Sequence, residues 1–539
     1  MLYLQRLQAV PTRAAYRLGM LGLTLLAFGW RVQGLAQQSL WRDEVDAIWF
    51  ATRPLPDTLA MFVQTAQNGP LYFLSLRPWF WLVGSSEFAL RFPSAAAGAL
   101  CVPLLWQLAR HLIPPPQSPV ADAPPNGTRS DEHSETHRPR WAPALAAAFF
   151  AVHPYHLWYA QEGKMYAIIT LFALLATWFW WQGIQRGDTR FWFAYWLTVT
   201  LAIYTHLLFI LILPLHFVWF WIAWPTSRPR WRGYVGALAG LTLPYVPLIA
   251  WQWQFLWSDA QMTHFRFTPF SQIAQTLVTH HAQGFAPHIT LIWLGPVFFL
   301  AGAGIILGGG EIGARHAGAQ LASGRRYLLL LSWILVPVVT IYLLSLRQPV
   351  FTDRYVVWIG PALLLFMALG ATAVRTHALW LARTVTALLV VYVVGFWLYG
   401  GWLQKTLPMK YDLRAGVTYV AQRRAPGELL MLQIPHLAWA YGYYTSDQSP
   451  RPFTASDARL GHWIGGLWTN HDWPDDVAWN DVQAQMAQYT ANDATFWLLR
   501  SEPEMWDSRN LLDRWLEANA ELLDRADFAG VEARHYRLD

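Results

Sequence analysis

Three carboxylates stand close together at Asp43, Glu44 and Asp46, just after the first long apolar run of the chain. Trp41 precedes them and Ile48-Trp49-Phe50 follows. Acids under aromatic cover sit at a low-dielectric boundary, where a carboxylate is costly to keep without a partner and its pKa rises. A carboxylate of that kind is suited to take a proton from a hydroxyl. A single acid at such a place is ordinarily a solvated loop residue. Two adjacent acids with aromatic flanks shift the balance toward chemistry, and Asp43-Glu44 is the candidate pair.

Other polar residues interrupt apolar runs further along. Glu162, Lys164 and Tyr166 follow one of them. A lone Lys at a helix end is ordinarily a snorkelling anchor. Arg347 and Arg354 flank a short loop between two apolar runs, and an Arg on the outer side of a membrane runs against the usual charge bias. A phosphate ligand would account for it, as would a pair with Asp353 or a lipid headgroup. His206, between two apolar runs, is ordinarily a satisfied buried histidine. His264, His280, His281 and His288 lack the tight spacing of a metal site. No cofactor is therefore expected, and an obligatory divalent metal is not expected either.

The elements that must position these groups are membrane helices. Hydrophobic residues make up 55% of the 539 and charged residues 13%, against about a quarter charged in soluble proteins. The 34 Trp suit interfacial anchoring. The net charge of +6 comes with Arg in short clusters between apolar runs, which is how topology is set, so no nucleic-acid partner is implied. The one cysteine, Cys101, cannot form an internal disulfide.

Apolar segments predict about eleven crossings, near 17–34, 88–112, 141–159, 165–183, two within 191–224 meeting at Thr205-His206, 233–256, 289–308, 327–346, 355–374 and 380–402. The first reads as a transmembrane helix rather than a cleaved signal, because no small-x-small site follows it. Leu71–Val83 is too short to cross and reads as interfacial or re-entrant. Residues 113–140, rich in Pro and charge, read as a disordered loop. This map places the Arg-bearing loops 113–140, 184–190, 225–232, 309–326 and 375–379 inside. It collects Asp43, Glu162, His206 and Arg354 on the opposite face. From residue 404 the acids become frequent. Glu428–Ile434 reads as a strand and Asn510–Leu523 as a helix. The expected architecture is a polytopic α-helical membrane domain over 1–403, with a first outer loop at 35–87, and a soluble extracytoplasmic α/β domain over 404–539.

Three stretches carry a resemblance: Trp41-Arg42-Asp43-Glu44 with Asn68-Gly69-Pro70-Leu71-Tyr72 and Gly84–Ser94, then Pro154–Ala167, then Asp353-Arg354-Tyr355 with Pro361. In this order they resemble the GT-C polyprenol-phosphate-sugar glycosyltransferases, which include protein O-mannosyltransferases and bacterial lipid A aminoarabinose transferases. The resemblance implies an inverting transfer at the plasma membrane. The donor would be a polyprenyl-phosphate-linked sugar; the acceptor would be a lipid, polysaccharide or protein hydroxyl. It implies Asp43 as base, with Glu44 either orienting the acceptor or making a structural bond. Glu162, Lys164, Tyr166, Arg354, Arg347 and His206 would serve the donor and its phosphate. The chain departs from the family in having Lys164 where Arg is usual, and Gln67-Asn68-Gly69-Pro70 where many relatives have His-Pro-Pro. A transporter or flippase of lipid-linked glycans is the alternative. Such proteins commonly show internal repeats, and none is visible here. A membrane-anchored interaction protein would not need so many spans.

Overall fold

The computed structural model describes residues 13–62, 69–113, 141–257, 266–287, 291–312, 323–377, 380–445, 460–463, 473–503 and 507–539. The loop expectation for 114–140, and Gln67, Asn68, His264 and His288, lie outside the described residues.

The helical part opens with α1 (Arg13–Val32), α2 (Arg42–Thr52), α3 (Leu55–Phe62), α4 (Pro70–Val83) and α5 (Glu87–Leu112). It continues through α6 (Trp141–Val152), α7 (Pro154–Ala160), α8 (Tyr166–Arg186), α9 (Thr189–Thr205), α10 (Ile212–Ile222), α11 (Trp224–Ser227) and α12 (Trp231–Trp257). The last group is α13 (Phe270–Gln283), α14 (Gly295–Ile312), α15 (Ser323–Ser345), a 3-10 turn at Asp353–Ile359, α16 (Gly360–His377) and α17 (Trp380–Thr406).

Among the described residues, each segment expected to cross is helical over most of its length. Length and apolarity, however, qualify only five of the described helices as spans, or up to six if a pair bent by 90° at Ala223 counts as one. The other segments expected to cross form helices that are shorter, broken or less apolar than that test requires. The segment at 141–159 is broken rather than continuous. Pro154 cannot donate to the preceding turn, so it starts a new helix at its first position. The break strands the last carbonyls of α6. Arg31, fully buried at the end of α1, donates to Ala151 O at 2.8 Å and Phe150 O at 3.0 Å. The 191–224 run breaks at His206, as its length requires. Ser86 caps α5 by accepting from Ala89 N at 3.2 Å.

After α17 come α18 (Leu413–Arg423), β1 (Leu429–Leu432), α19 (Pro435–Thr445), β2 (Leu460–Trp463), α20 (Asp475–Thr490), β3 (Thr495–Ser501), α21 (Leu511–Asn519), β4 (Ala520–Phe528) and β5 (Val531–Leu538). The strands form one mixed sheet in the order β2-β1-β3-β5-β4, with β1 parallel to both neighbours and β5 antiparallel to both of its own. The strand expected at 428–434 is present as β1, in the interior of the sheet. The helix expected over Asn510–Leu523 ends at Asn519, because Ala520–Leu522 pair with Leu538–Tyr536 instead. Cross-strand pairing outweighs the local helical pattern there.

Side chains alternate across the sheet. Leu429, Met431, Phe496 and Leu498 face α20 and α21 in a core of their own. Leu430, Leu432, Trp497 and Leu499 join the core that continues into the helical part. Polar contacts reinforce this junction. Arg42 pairs with Glu502 at 2.9 Å, Tyr444 donates to Glu87 at 2.6 Å and receives Leu40 N at 2.9 Å, and Trp49 stacks on Trp439 at 5.4 Å.

Candidate functional site

The site is built on the first turn of α2, where Asp43 and Glu44 face the positive end of the helix. Glu44 is fully buried. Arg91, from α5, grips it through two contacts, Nε to Oε1 at 2.8 Å and Nη2 to Oε2 at 2.6 Å. Gly163 N donates to Oε1 at 2.7 Å and Lys410 Nζ to the same oxygen at 3.1 Å. Gly163 can come this close because it has no side chain; a Cβ there would lie 2.4 Å from Leu90 Cγ. Burial alone would raise the Glu44 pKa, but Arg91 and Lys410 together with the hydrogen bonds hold it at about 2. Arg91 also donates to Leu35 O, Gln38 O and Ser39 O at 2.6–2.8 Å, so one guanidinium fixes both the acid and the strand of chain leading to it.

Asp43, one residue earlier, points elsewhere and keeps some exposure. Its Oδ2 accepts from Arg354 Nη1 at 2.8 Å, and the side chains are 16% and 20% exposed. Burial works to raise its pKa, but Lys164, Arg354 and Arg42 outweigh burial and hold it below the ordinary value. Arg354 lies near the rings of Trp41, Tyr166 and Tyr355, at 6.0, 5.5 and 6.0 Å from their centroids. Lys164 places its ammonium 5.6 Å from the centre of the Phe73 ring. The His206 ring lies 4.7 Å from that of Tyr355. Burial, then Arg354 and Lys164, push the pKa of His206 down to about 3, so it is neutral. Gly69 holds α4 against this corner. Its φ is +53°, and a Cβ there would stand 1.9 Å from the Thr205 carbonyl oxygen.

Glu162 lies between the two acids' environments. It is 1% exposed, and neither carboxylate oxygen has a hydrogen-bond partner among the described residues. Burial raises its pKa to about 7, with Lys410 and Arg354 pulling the other way. The Tyr72 hydroxyl, Trp41 Nε1, Arg354 Nε and His206 Nε2 are also buried without hydrogen-bond partners. Buried polar atoms without partners also occur elsewhere in the fold; what sets this corner apart is that both oxygens of a buried acid are among them, beside Arg354 and Lys164.

The structure thus brings together Asp43, Glu44, Glu162, Lys164, Tyr166, His206 and Arg354. Arg347 donates to Trp257 O at the end of α12, at 3.3 Å. Two contributors, Arg91 and Lys410, are not singled out by the sequence, whereas Asp353 stands in the third resembling stretch. Arg91 is detectable as a cation set before the apolar stretch of α5, far from the helix's basic last turn at Arg110 and His111. Lys410, in the link after α17, carried no local signal. Asp353 accepts from Tyr155 at 3.0 Å, Tyr159 at 3.2 Å and His280 Nδ1 at 2.7 Å. It anchors the 3-10 turn that presents Arg354, and its partners come from α7 and α13. Among the described residues no group of His, Cys, Asp and Glu is arranged to hold a metal ion.

Residues 67–228 match the family described as protein O-mannosyl-transferase TMEM260 N-terminal domain. Among curated proteins no sequence matches. Among solved structures, ArnT from Cupriavidus metallidurans in the apo state aligns with TM-score 0.56 and 14% identity, over 97% of this chain and 98% of that one. The same protein bound to undecaprenyl phosphate aligns with TM-score 0.53 and 15% identity, over the same shares. The archaeal oligosaccharyltransferase AglB from Archaeoglobus fulgidus, in complex with an inhibitory peptide and a dolichol-phosphate, aligns with TM-score 0.50 and 9% identity, over 96% of this chain and 74% of that one. The chain shares the helical fold of ArnT and AglB, and over residues 67–228 it is similar to the protein O-mannosyl-transferase family.

Proposed function

We propose that this protein is an inverting membrane glycosyltransferase that moves a hexosyl or pentosyl group from a polyprenyl-phosphate donor to an acceptor hydroxyl. Asp43 is the general base. The observation that carries this reading is the Asp43–Arg354 pair, set beside Lys164 and still partly open to solvent. It puts an ionised acceptor of protons and two cations within one site, which is what a reaction with an acidic proton at one end and a growing phosphate charge at the other requires.

In the free enzyme Arg354 neutralises Asp43. A donor phosphate competes for the same guanidinium, which can bind it through two parallel N–H bonds, while Lys164 adds a point charge. Releasing Arg354 from Asp43 raises the basicity of the carboxylate when the donor is in place. Asp43 then takes the proton of the acceptor hydroxyl as its oxygen attacks the anomeric carbon. The bond from that carbon to the phosphate oxygen breaks, its electron pair leaves with polyprenyl phosphate, and configuration inverts. Glu44 positions this turn through Arg91 and does not touch substrate. The site faces the extracytoplasmic side of the plasma membrane, the N-terminus lies inside, and the helical part (1–403) crosses about eleven times. The domain from 404 onward lies outside and takes part in acceptor choice. ArnT with undecaprenyl phosphate and AglB with dolichol-phosphate support a lipid-phosphate donor.

The test is turnover of polyprenyl-phosphate sugars in nanodiscs by wild type and Asp43→Asn. Asn keeps the shape but cannot take the proton, so turnover should fall about 10²-fold or more with donor binding retained. Equal turnover by both proteins would remove Asp43 from the role of base.

A further inference from the structure

We propose that Glu162, together with the buried Tyr72 hydroxyl, is the subsite that reads the hydroxyl groups of the transferred sugar. This rests on the lipid-phosphate donor reading above and assigns a second half to the same site. Glu162 is almost wholly buried, yet both its oxygens lack a partner among the described residues. A buried carboxylate in that condition is expensive unless something supplies donors to it. The nearby cations do not saturate it. Lys410 spends its contacts on Glu44 at 3.1 Å and on Gln161 O at 3.3 Å, and Arg354 spends its Nη1 on Asp43. Tyr72, on α4, is also buried with its hydroxyl unpaired, and it feels the charges of Glu44 and Glu162.

The missing partner must therefore be a donor of hydrogen bonds. Phosphate has none to give when ionised and would be repelled, so the acid is not the phosphate site. Lys164 and Arg354 supply that charge instead. A metal ion would need further ligands, and no group of acids and histidines among the described residues is arranged to hold one. Neighbouring hydroxyls on a sugar ring present two O–H donors that a carboxylate can accept side by side, and Tyr72 can donate to or accept from a third oxygen. The site is then divided by charge: cations for the phosphate, an acid and a phenol for the sugar.

The experiment compares Kd for bare undecaprenyl phosphate with Kd for the same lipid carrying mannose, glucose, galacturonic acid or aminoarabinose. The proteins are wild type, Glu162→Gln and Glu162→Asp, full length in nanodiscs. Wild type should bind at least one neutral glycosylated lipid about 10-fold or more tighter than the bare lipid. Glu162→Gln should erase most of that preference while leaving the bare-lipid Kd within about 2-fold, and Glu162→Asp should restore part of it. Equal weakening of bare and glycosylated lipid by both variants, or a preference unchanged in Glu162→Gln, would overturn the subsite. A preference confined to aminoarabinose would show that the acid reads an ammonium, and would overturn the hydroxyl assignment. If wild type binds no bare lipid, the donor reading itself falls, which is a different result from losing only the sugar preference.

Discussion

Glu44→Gln separates positioning from chemistry. The side chain is nearly isosteric, but it replaces one of the two acceptor oxygens by a donor. Glu44 receives Arg91 Nε, Gly163 N and Lys410 Nζ on Oε1, and Arg91 Nη2 on Oε2. In its best orientation the glutamine oxygen replaces Oε1, and its NH2 then faces the Arg91 Nη2 donor. Arg91 and Lys410 are left buried without their counter-charge. Removing one partner of a buried ion pair costs about 3–5 kcal/mol. Holding the acid at about 2 rather than the ordinary 4.5 corresponds to about 3 kcal/mol in favour of the ionised form, a consistent figure. The assay is native-state hydrogen exchange on peptides covering residues 35–52. About 3 kcal/mol less local stability should speed their exchange about 10²-fold in the variant. Because the folded pKa is depressed, this stabilisation is fully present above pH 4.5 and lost as pH falls toward 2. The wild-type peptides should therefore lose protection across that window more steeply than those of Glu44→Gln. Unchanged exchange with turnover lost would mean that Glu44 acts on substrate, and the positioning argument would be wrong.

Gly69→Ala should destabilise the protein by more than about 2 kcal/mol and weaken donor binding, since the new Cβ meets a backbone carbonyl that cannot move aside. A wild-type melting temperature would refute this. Arg354→Lys should weaken undecaprenyl phosphate binding about 10-fold, because an ammonium lacks the planar fork, and equal affinity would reduce Arg354 to a partner of Asp43. Glu162 ionises as pH rises through about 7, and a charged acceptor holds hydroxyls more strongly. Affinity for the glycosylated lipid should therefore rise between pH 6 and 8 and be flat in Glu162→Gln, as titration calorimetry can show. Asp43, held below its ordinary value, should add no inflection in that range.

Much of the site was legible because its residues stand where apolar runs end. Asp43-Glu44, Glu162-Lys164, His206 and Arg354 all interrupt such runs, and a charge beside a membrane segment needs a reason. The break at Thr205-His206 was legible from length alone. What one-dimensional reading could not do was sort the two adjacent acids. Asp43 and Glu44 are alike in type and neighbourhood, yet one faces an Arg 311 positions away with some exposure and the other is sealed under Arg91. That difference follows from the turn of a helix, which sends consecutive side chains in different directions.

The sequence by itself determined the helical membrane character, the placement of helices along the chain and the list of polar groups available for chemistry. These depend on local apolarity and on residue type. Tertiary structure alone decided the pairings. It moved Lys410 from a featureless link into the acid cluster, converted the end of an expected helix into β4, and left Glu162 buried without a partner among the described residues. Each of these outcomes depends on residues distant in the chain meeting in a low-dielectric space, where the energy of a charge is set by its neighbours rather than by its own type.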